Sequence, residues 1–147
     1  MLPIGKILVA VDGSNASLKA STYAIDLAKT YDAELIILNI VSVTPYSQFE
    51  YANIGRMKDI ESEEEDRAKQ DLDKVKQKAT EKKVSVKTDV VVKYTSIVKE
   101  IVEYAENKKV DMVVIGSRGM TGFKKLLLGS IASGVVTYSH CPVLVVK

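Results

Sequence analysis

At 147 residues, 46% of them hydrophobic and 27% charged, the chain has the size and balance of one ordinary globular domain (residues 1–147), able to bury a core without staples. A net charge of +2, segregated along the chain, is too mild to indicate nucleic-acid or membrane binding. The single Cys141 excludes an internal disulfide, and with the single His140 it excludes a Cys/His zinc site within one chain. No stretch approaches a membrane-spanning length, and the apolar run Ile7–Val11 is too short for a secretory signal. The expectation is a soluble, cytoplasmic protein.

Apolar strand-like runs alternate with helical patterns along the whole chain. The first run, Lys6–Val11, ends in Asp12-Gly13-Ser14-Asn15, a turn followed by helical spacing of Ala20, Tyr23, Ala24, Leu27, Ala28 and Tyr31. The second, Glu34–Val41, leads into the longest connection, Ser42–Arg56, which carries Pro45, Tyr46, Phe49, Tyr51 and Gly55. Long loops in compact domains are functional, mobile or family-variable, and the last reading is slightly favoured here. Ala68, Leu72, Val75 and Ala79 then mark a helix with acidic residues crowding its beginning (Asp59 to Asp66) and lysines its end (Lys74 to Lys83). That arrangement matches the helix dipole on a solvated face. A third strand over Val84–Val92, a helix through Ile97, Ile101, Tyr104 and Ala105, and a fourth strand over Val110–Ile115 follow. The chain closes with a glycine-bearing loop, a helix through Ile131, Val135 and Tyr138, and a last strand, Val143–Val146.

Several strands are continuously apolar, as strands buried on both faces of a parallel sheet are. Repeated β-α-β units with right-handed crossovers give an α/β, doubly wound parallel sheet of five strands with helices on both faces, Rossmann-like in type. Such sheets bind ligands at the carboxyl ends of their strands, where the winding direction switches.

The loop from Gly116 to Ser130 carries the chemistry. Glycines between a strand and a helix let the backbone approach a ligand, and a helix start offers unpaired N–H groups and partial positive charge to an anion. Past Asp111 there is no acidic residue, while Arg118, Lys124, Lys125 and Lys147 are basic. Neither the P-loop pattern nor G-x-G-x-x-G occurs. The spacing present is G-x2-G-x9-G-S, made by Gly116, Gly119, Gly129 and Ser130.

That spacing, with Val11-Asp12-Gly13-Ser14 and the closing Cys141-Pro-Val-Leu-Val-Val146, resembles the universal stress protein family over nearly the whole chain. The resemblance implies the strand order 3-2-1-4-5, which would make Asp12 and Gly116 neighbours. It implies an ATP-binding protein (ADP or AMP as alternatives). Phosphates would be held by main-chain amides around Gly116, Ser117, Gly119, Gly129, Ser130 and Ile131, and by the Ser130 hydroxyl. Ribose would be held by Asp12, and adenine by Ala10, Val11 and Ile40. Mg2+ or Mn2+ would be bound through the phosphates and not by a protein metal site. A homodimer through the edge strand Val143–Val146 is also implied.

Each residue also has a plainer reading. Asp12 before Gly13 is ordinary turn chemistry, although its place at a strand end favours the sugar-binding role. Ser130 is equally suited to cap the last helix, and both roles are compatible. Arg118 either meets phosphate or points to solvent, and strand packing alone accounts for Ala10, Val11 and Ile40. His140 and Cys141 read as a helix stop before Pro142. No general base or arginine finger is legible, so no catalytic residue is assigned and hydrolysis is expected to be slow at most. The alternatives are a slow adenine-nucleotide hydrolase and a nucleotide-free dimeric interaction protein.

Overall fold

In the computed structural model, which describes residues 3–42, 54–93, 95–118 and 128–147, the chain begins with β1 (Lys6–Ala10), α1 (Asn15–Tyr31), β2 (Glu34–Ser42) and α2 (Ile54–Glu81). It continues with β3 (Val86–Lys93), α3 (Ile97–Asn107), β4 (Met112–Gly116), α4 (Ser130–Tyr138) and β5 (Val143–Val146). All ladders are parallel, and the five strands lie in the order β3-β2-β1-β4-β5, as the resemblance implies. β1 therefore lies between β2 and β4, with Leu8 beside both Ile36 and Val113.

The apolar runs are central because both faces of the sheet are covered. Ile7, Leu8 and Val9 of β1 and Leu35, Ile37 and Leu38 of β2 are fully buried. Alternate residues divide into two cores. Ile7, Val9, Leu35 and Ile37 pack with Ala24, Leu72 and Val75 under α1 and α2, while Leu8, Leu38, Val113 and Ile115 pack with Ile101 and Val135 under α3 and α4.

The differences from the sequence reading have physical causes. Val84 and Val110 are expected as strand starts, but they close helices. Three helices end in the same way, with a non-glycine residue in the left-handed region (Asp32 φ 53°, Lys83 φ 59°, Lys109 φ 55°) followed by an apolar residue whose amide reaches back into the helix. Ala33 N–H donates to the Ala28 carbonyl, Val84 to Ala79 and Val110 to Ala105, at 2.9–3.0 Å. This is the Schellman closure, and the apolar residue following the left-handed one packs down onto the core. The connection expected over Ser42–Arg56 is also shorter, because β2 runs to Ser42 and α2 starts at Ile54; residues 43–53 lie outside the described residues. None of residues 58–67 of α2 is buried, and core contact begins at Ala68. The early turns therefore show no apolar period to read.

The two sheet edges differ. β3 presents an eight-residue edge with Lys87 and Lys93 exposed, Lys87 pairing with Glu34 of β2 at 3.3 Å. β5 is four apolar residues, with Leu144 36% exposed, and the neighbouring α4 exposes Val136 (47%) and Tyr138 (70%). Among the described residues, no helix is long and apolar enough to cross a membrane.

Candidate functional site

The end of β1 is shaped by a short hydrogen-bonded turn. Val11 N–H still donates to the Leu38 carbonyl at 2.8 Å, and Gly13, at φ +86°, then reverses the chain. A left-handed residue at this point favours glycine. Ser14 is the N-cap of α1, its Oγ accepting from Ser17 N–H at 3.2 Å. The buried Ser17 hydroxyl accepts from Asp12 N–H (3.2 Å) and donates to the Ser14 carbonyl (3.0 Å). Asp12 is exposed; its Oδ1 accepts from Ser14 N–H at 2.9 Å, while Oδ2 has no partner among the described residues. The turn role and an open carboxylate oxygen thus coexist on one side chain.

The end of β4 packs closely on the start of α1. A Cβ on Gly116 would stand 2.8 Å from the backbone carbon and oxygen of Ala16, so the missing side chain admits α1 and not a ligand. Strand alternation explains this, since Met112 and Val114 face α1 and α2 while Val113 and Ile115 face α3 and α4. Gly129 is tied to the end of β4. Its N–H donates to the Ser117 carbonyl at 2.7 Å, so this amide is committed to closing the loop. The Ser117 amide is likewise committed, to the Val146 carbonyl at 2.8 Å. Gly129, not Ser130, is the N-cap of α4, which makes Ser130 the first helical residue.

The first intrahelical bond of α4 runs from Ser133 N–H to the Gly129 carbonyl at 2.9 Å. Before it, the amides of Ser130, Ile131 and Ala132 have no backbone partner among the described residues, and no side chain caps the helix. Helix-start amides of this kind can donate to a bound anion.

These ends border one cleft with a cavity volume of about 570 Å³. It brings together every sequence-predicted site residue that is described: Ala10, Val11, Asp12, Ile40, Gly116, Ser117, Arg118, Gly129, Ser130 and Ile131. Gly119 lies outside the described residues. Ala10 and Ile40 pack on the α3/α4 side, whereas the Val11 side chain is buried in the opposite core, so Val11 offers the cleft only main chain. Sequence reasoning missed Ser17, Ile97, Ile101, Ile115, Leu128, Ala132 and Ser133. Ser14 was readable as a helix cap, but no sequence signal pointed to Ser17, since a capping box would need Glu or Gln there. Ile97 and Ile101 carried only a core-like helical spacing, and Ile101 is indeed 1% exposed.

His140 and Cys141 stay apart from the cleft, the imidazole Nε2 lying 3.1 Å from the Val110 carbonyl and Cys141 Sγ lying 3.5 Å from Ser139 Oγ. Among the described residues, no group of three or more His, Cys, Asp or Glu is placed to hold a metal ion.

Residues 3–147 match the universal stress protein family. The chain belongs to that family. The universal stress protein MJ0531 of Methanocaldococcus jannaschii is 39% identical over 146 residues, which span 97% of this chain and 81% of that one. Among solved structures, the universal stress protein UspA from Lactobacillus plantarum superposes with a TM-score of 0.87 at 25% identity, with both chains fully covered. A universal stress protein described as a complex with cAMP is 26% identical, with a TM-score of 0.68 and 98% and 97% of the two chains covered.

In this universal stress family chain the cleft offers different chemistry at its two ends. The helix-start amides, without partners among the described residues, and Arg118 offer hydrogen-bond donors and positive potential at the α4 end. At the β1 end the Asp12 oxygen accepts, and Ala10, Ile40, Ile97 and Ile101 give apolar walls. An anion, a hydroxyl-bearing ring and a flat apolar group each have a complementary surface here.

Proposed function

We propose that this chain binds an adenine nucleotide, ATP or its ADP or AMP counterparts, across the carboxyl ends of β1 and β4. The observation that carries this reading is the start of α4, where the amides of Ser130, Ile131 and Ala132 have no partner among the described residues, at a cleft that also holds the Asp12 oxygen without a partner among them. Phosphate matches the amides and the helix dipole, supported by Arg118. Ribose hydroxyls match Asp12, and adenine matches the apolar surface of Ala10 and Ile40 beside the Val11 main chain. The related protein described as a cAMP complex supports an adenine nucleotide as the ligand class. The donor set suits a nucleotide whose Mg2+ or Mn2+ rides on phosphate oxygens and water.

The reading is of a nucleotide-responsive regulatory or protective module and not an efficient enzyme. Asp12 is the one carboxylate among the described lining residues, and one of its oxygens is already committed to the turn. Turnover well above a background of about one per minute would favour the slow-hydrolase alternative. A homodimer through β5 completes the proposal, supported by its short apolar edge and the exposed Val136, Tyr138 and Leu144.

Native mass spectrometry of the purified protein, followed by titration with Mg-ATP, tests both parts. The expected species is a dimer with one nucleotide per subunit. A bare dimer that ignores Mg-ATP would leave a nucleotide-free interaction protein, and a monomer at micromolar concentration would remove the β5 interface.

A further inference from the structure

We infer that Asp71 of α2 is a positioning residue for the sugar end of the cleft, acting on Asp12 through Gly13; the inference rests on the nucleotide reading above. Asp71 Oδ2 stands 2.7 Å from the point a Gly13 Cβ would occupy, and its Cγ stands 3.5 Å away. The carboxylate therefore fills the space that a side chain on Gly13 would take. It does so from outside the cleft, because α2 covers the sheet face opposite α3 and α4 and Asp71 does not line the cavity.

The wedge is firmly based. Asp71 immediately precedes Leu72, which is 1% exposed, and Ala68 and Val75 anchor the same stripe of α2. The part it stands beside is the softest link of the turn. Glycine has the widest backbone range of any residue, and Gly13 sits at φ +86° between Asp12 and Ser14. On the other side, Asp12 Oδ1 accepts from Ser14 N–H, and Ser17 ties Asp12 N–H to the Ser14 carbonyl. The direction of the open Asp12 oxygen depends on that loop of bonds keeping its shape. With Asp71 shortened, Gly13 borders empty space and the turn relaxes toward α2.

Asp71 is half-buried and has no ion pair or hydrogen bond among the described residues, so its place beside Gly13 is the contact that the structure gives its carboxylate.

The test compares binding of Mg-ADP with that of Mg-2′,3′-dideoxy-ADP, which lacks the hydroxyls that Asp12 would receive. Wild type is expected to prefer ADP by about tenfold or more, the worth of a hydrogen bond to a charged acceptor. Asp71→Ala is expected to cut that preference to about twofold while leaving dideoxy-ADP affinity within about twofold of wild type, since the phosphate contacts lie elsewhere. Asp71→Asn, which keeps the shape, is expected to retain the preference. A full preference in Asp71→Ala, equal weakening of both nucleotides in a variant that melts normally, or an Asp71→Asn as defective as the alanine variant would each overturn the inference. Wild type binding both nucleotides equally would remove the sugar role of Asp12, and wild type binding neither would remove the nucleotide reading itself. Should Asp71→Ala fail to fold, Asp71→Ser is read in its place.

Discussion

Gly116 at the end of β4 lies against Ala16 in the first turn of α1, so closely that a Cβ would meet the Ala16 backbone at 2.8 Å. Backbone cannot rotate out of the way as a side chain can. Gly116→Ala is expected to destabilise the protein by about 1–3 kcal/mol, as overpacking does, whether or not ligand is present. Urea unfolding without nucleotide checks this. An unchanged midpoint would mean that α1 shifts freely and that the glycine serves the ligand after all.

Ser130→Pro isolates the helix start from the rest of the site. Proline is suited to the first helical position, where its missing N–H has no helical partner. Gly129 before it has ψ 155°, the extended value that proline requires of its predecessor. Melting temperature should hold, while affinity for Mg-ATP falls about tenfold, the loss of a charge-assisted hydrogen bond. Retained affinity in a calorimetric titration would exclude the Ser130 amide from the phosphate site.

Gly134 is the place where α4 approaches α3. A Cβ there would stand 2.7 Å from Val98 Cγ1 and 2.8 Å from Cγ2. In an open helix, Gly→Ala would gain about 1 kcal/mol. Here Gly134→Ala is expected to lower stability, and Val98→Ala combined with it to recover most of the loss. Chemical denaturation of the two single variants and the double variant reads the coupling, and additive losses would argue against the contact.

Lys83 and Lys109 hold left-handed backbone at helix ends without being glycine. Lys83→Gly and Lys109→Gly are each expected to raise stability by about 0.5–1 kcal/mol, because strain is relieved and the closing bonds from Val84 and Val110 are kept. Thermal melts that fall would show that the lysine side chains contribute more than their backbone costs.

Tyr104 gives a stability term at high pH. Burial, then a hydrogen bond to Asp89 (3.0 Å from phenol oxygen to Oδ2) and the charge of that carboxylate, hold the phenol well above its ordinary value of about 10. The folded protein then keeps the proton after the unfolded chain releases it. The contribution is complete below pH of about 10 and is lost as pH rises beyond it. Tyr104→Phe should flatten the fall in stability between wild type at pH 9 and at about pH 11. Parallel pH profiles for the two proteins would remove the effect.

Much of the fold was legible because burial on both faces leaves unbroken apolar runs, as in Ile7–Val9 and Leu35–Leu38. The strand order came from family resemblance, since no local pattern encodes which strand lies beside which. Strand starts were misread at Val84 and Val110 because an apolar helix-closing residue looks like the first residue of a strand. Asp12, Gly116 and Ser130 line the cleft that their places at strand and helix ends suggested. What each glycine makes room for was not legible, because the neighbour of Gly116 is Ala16, a hundred residues away in sequence. Ile97 and Ile101 were hidden for the opposite reason, since a residue that walls a cleft and one that fills a core carry the same spacing.

The unlike edges of the sheet bear on how such a chain keeps company. A sheet adhesive along both margins would recruit neighbour after neighbour and grow into a ribbon. Here the long margin, β3, carries Lys87 and Lys93, which a further strand would have to strip of water, and the short one, β5, carries only valine and leucine. In the proposed homodimer, union through β5 would use up the apolar margin of each copy and leave only the lysine-bearing ones, so the association would be self-limiting.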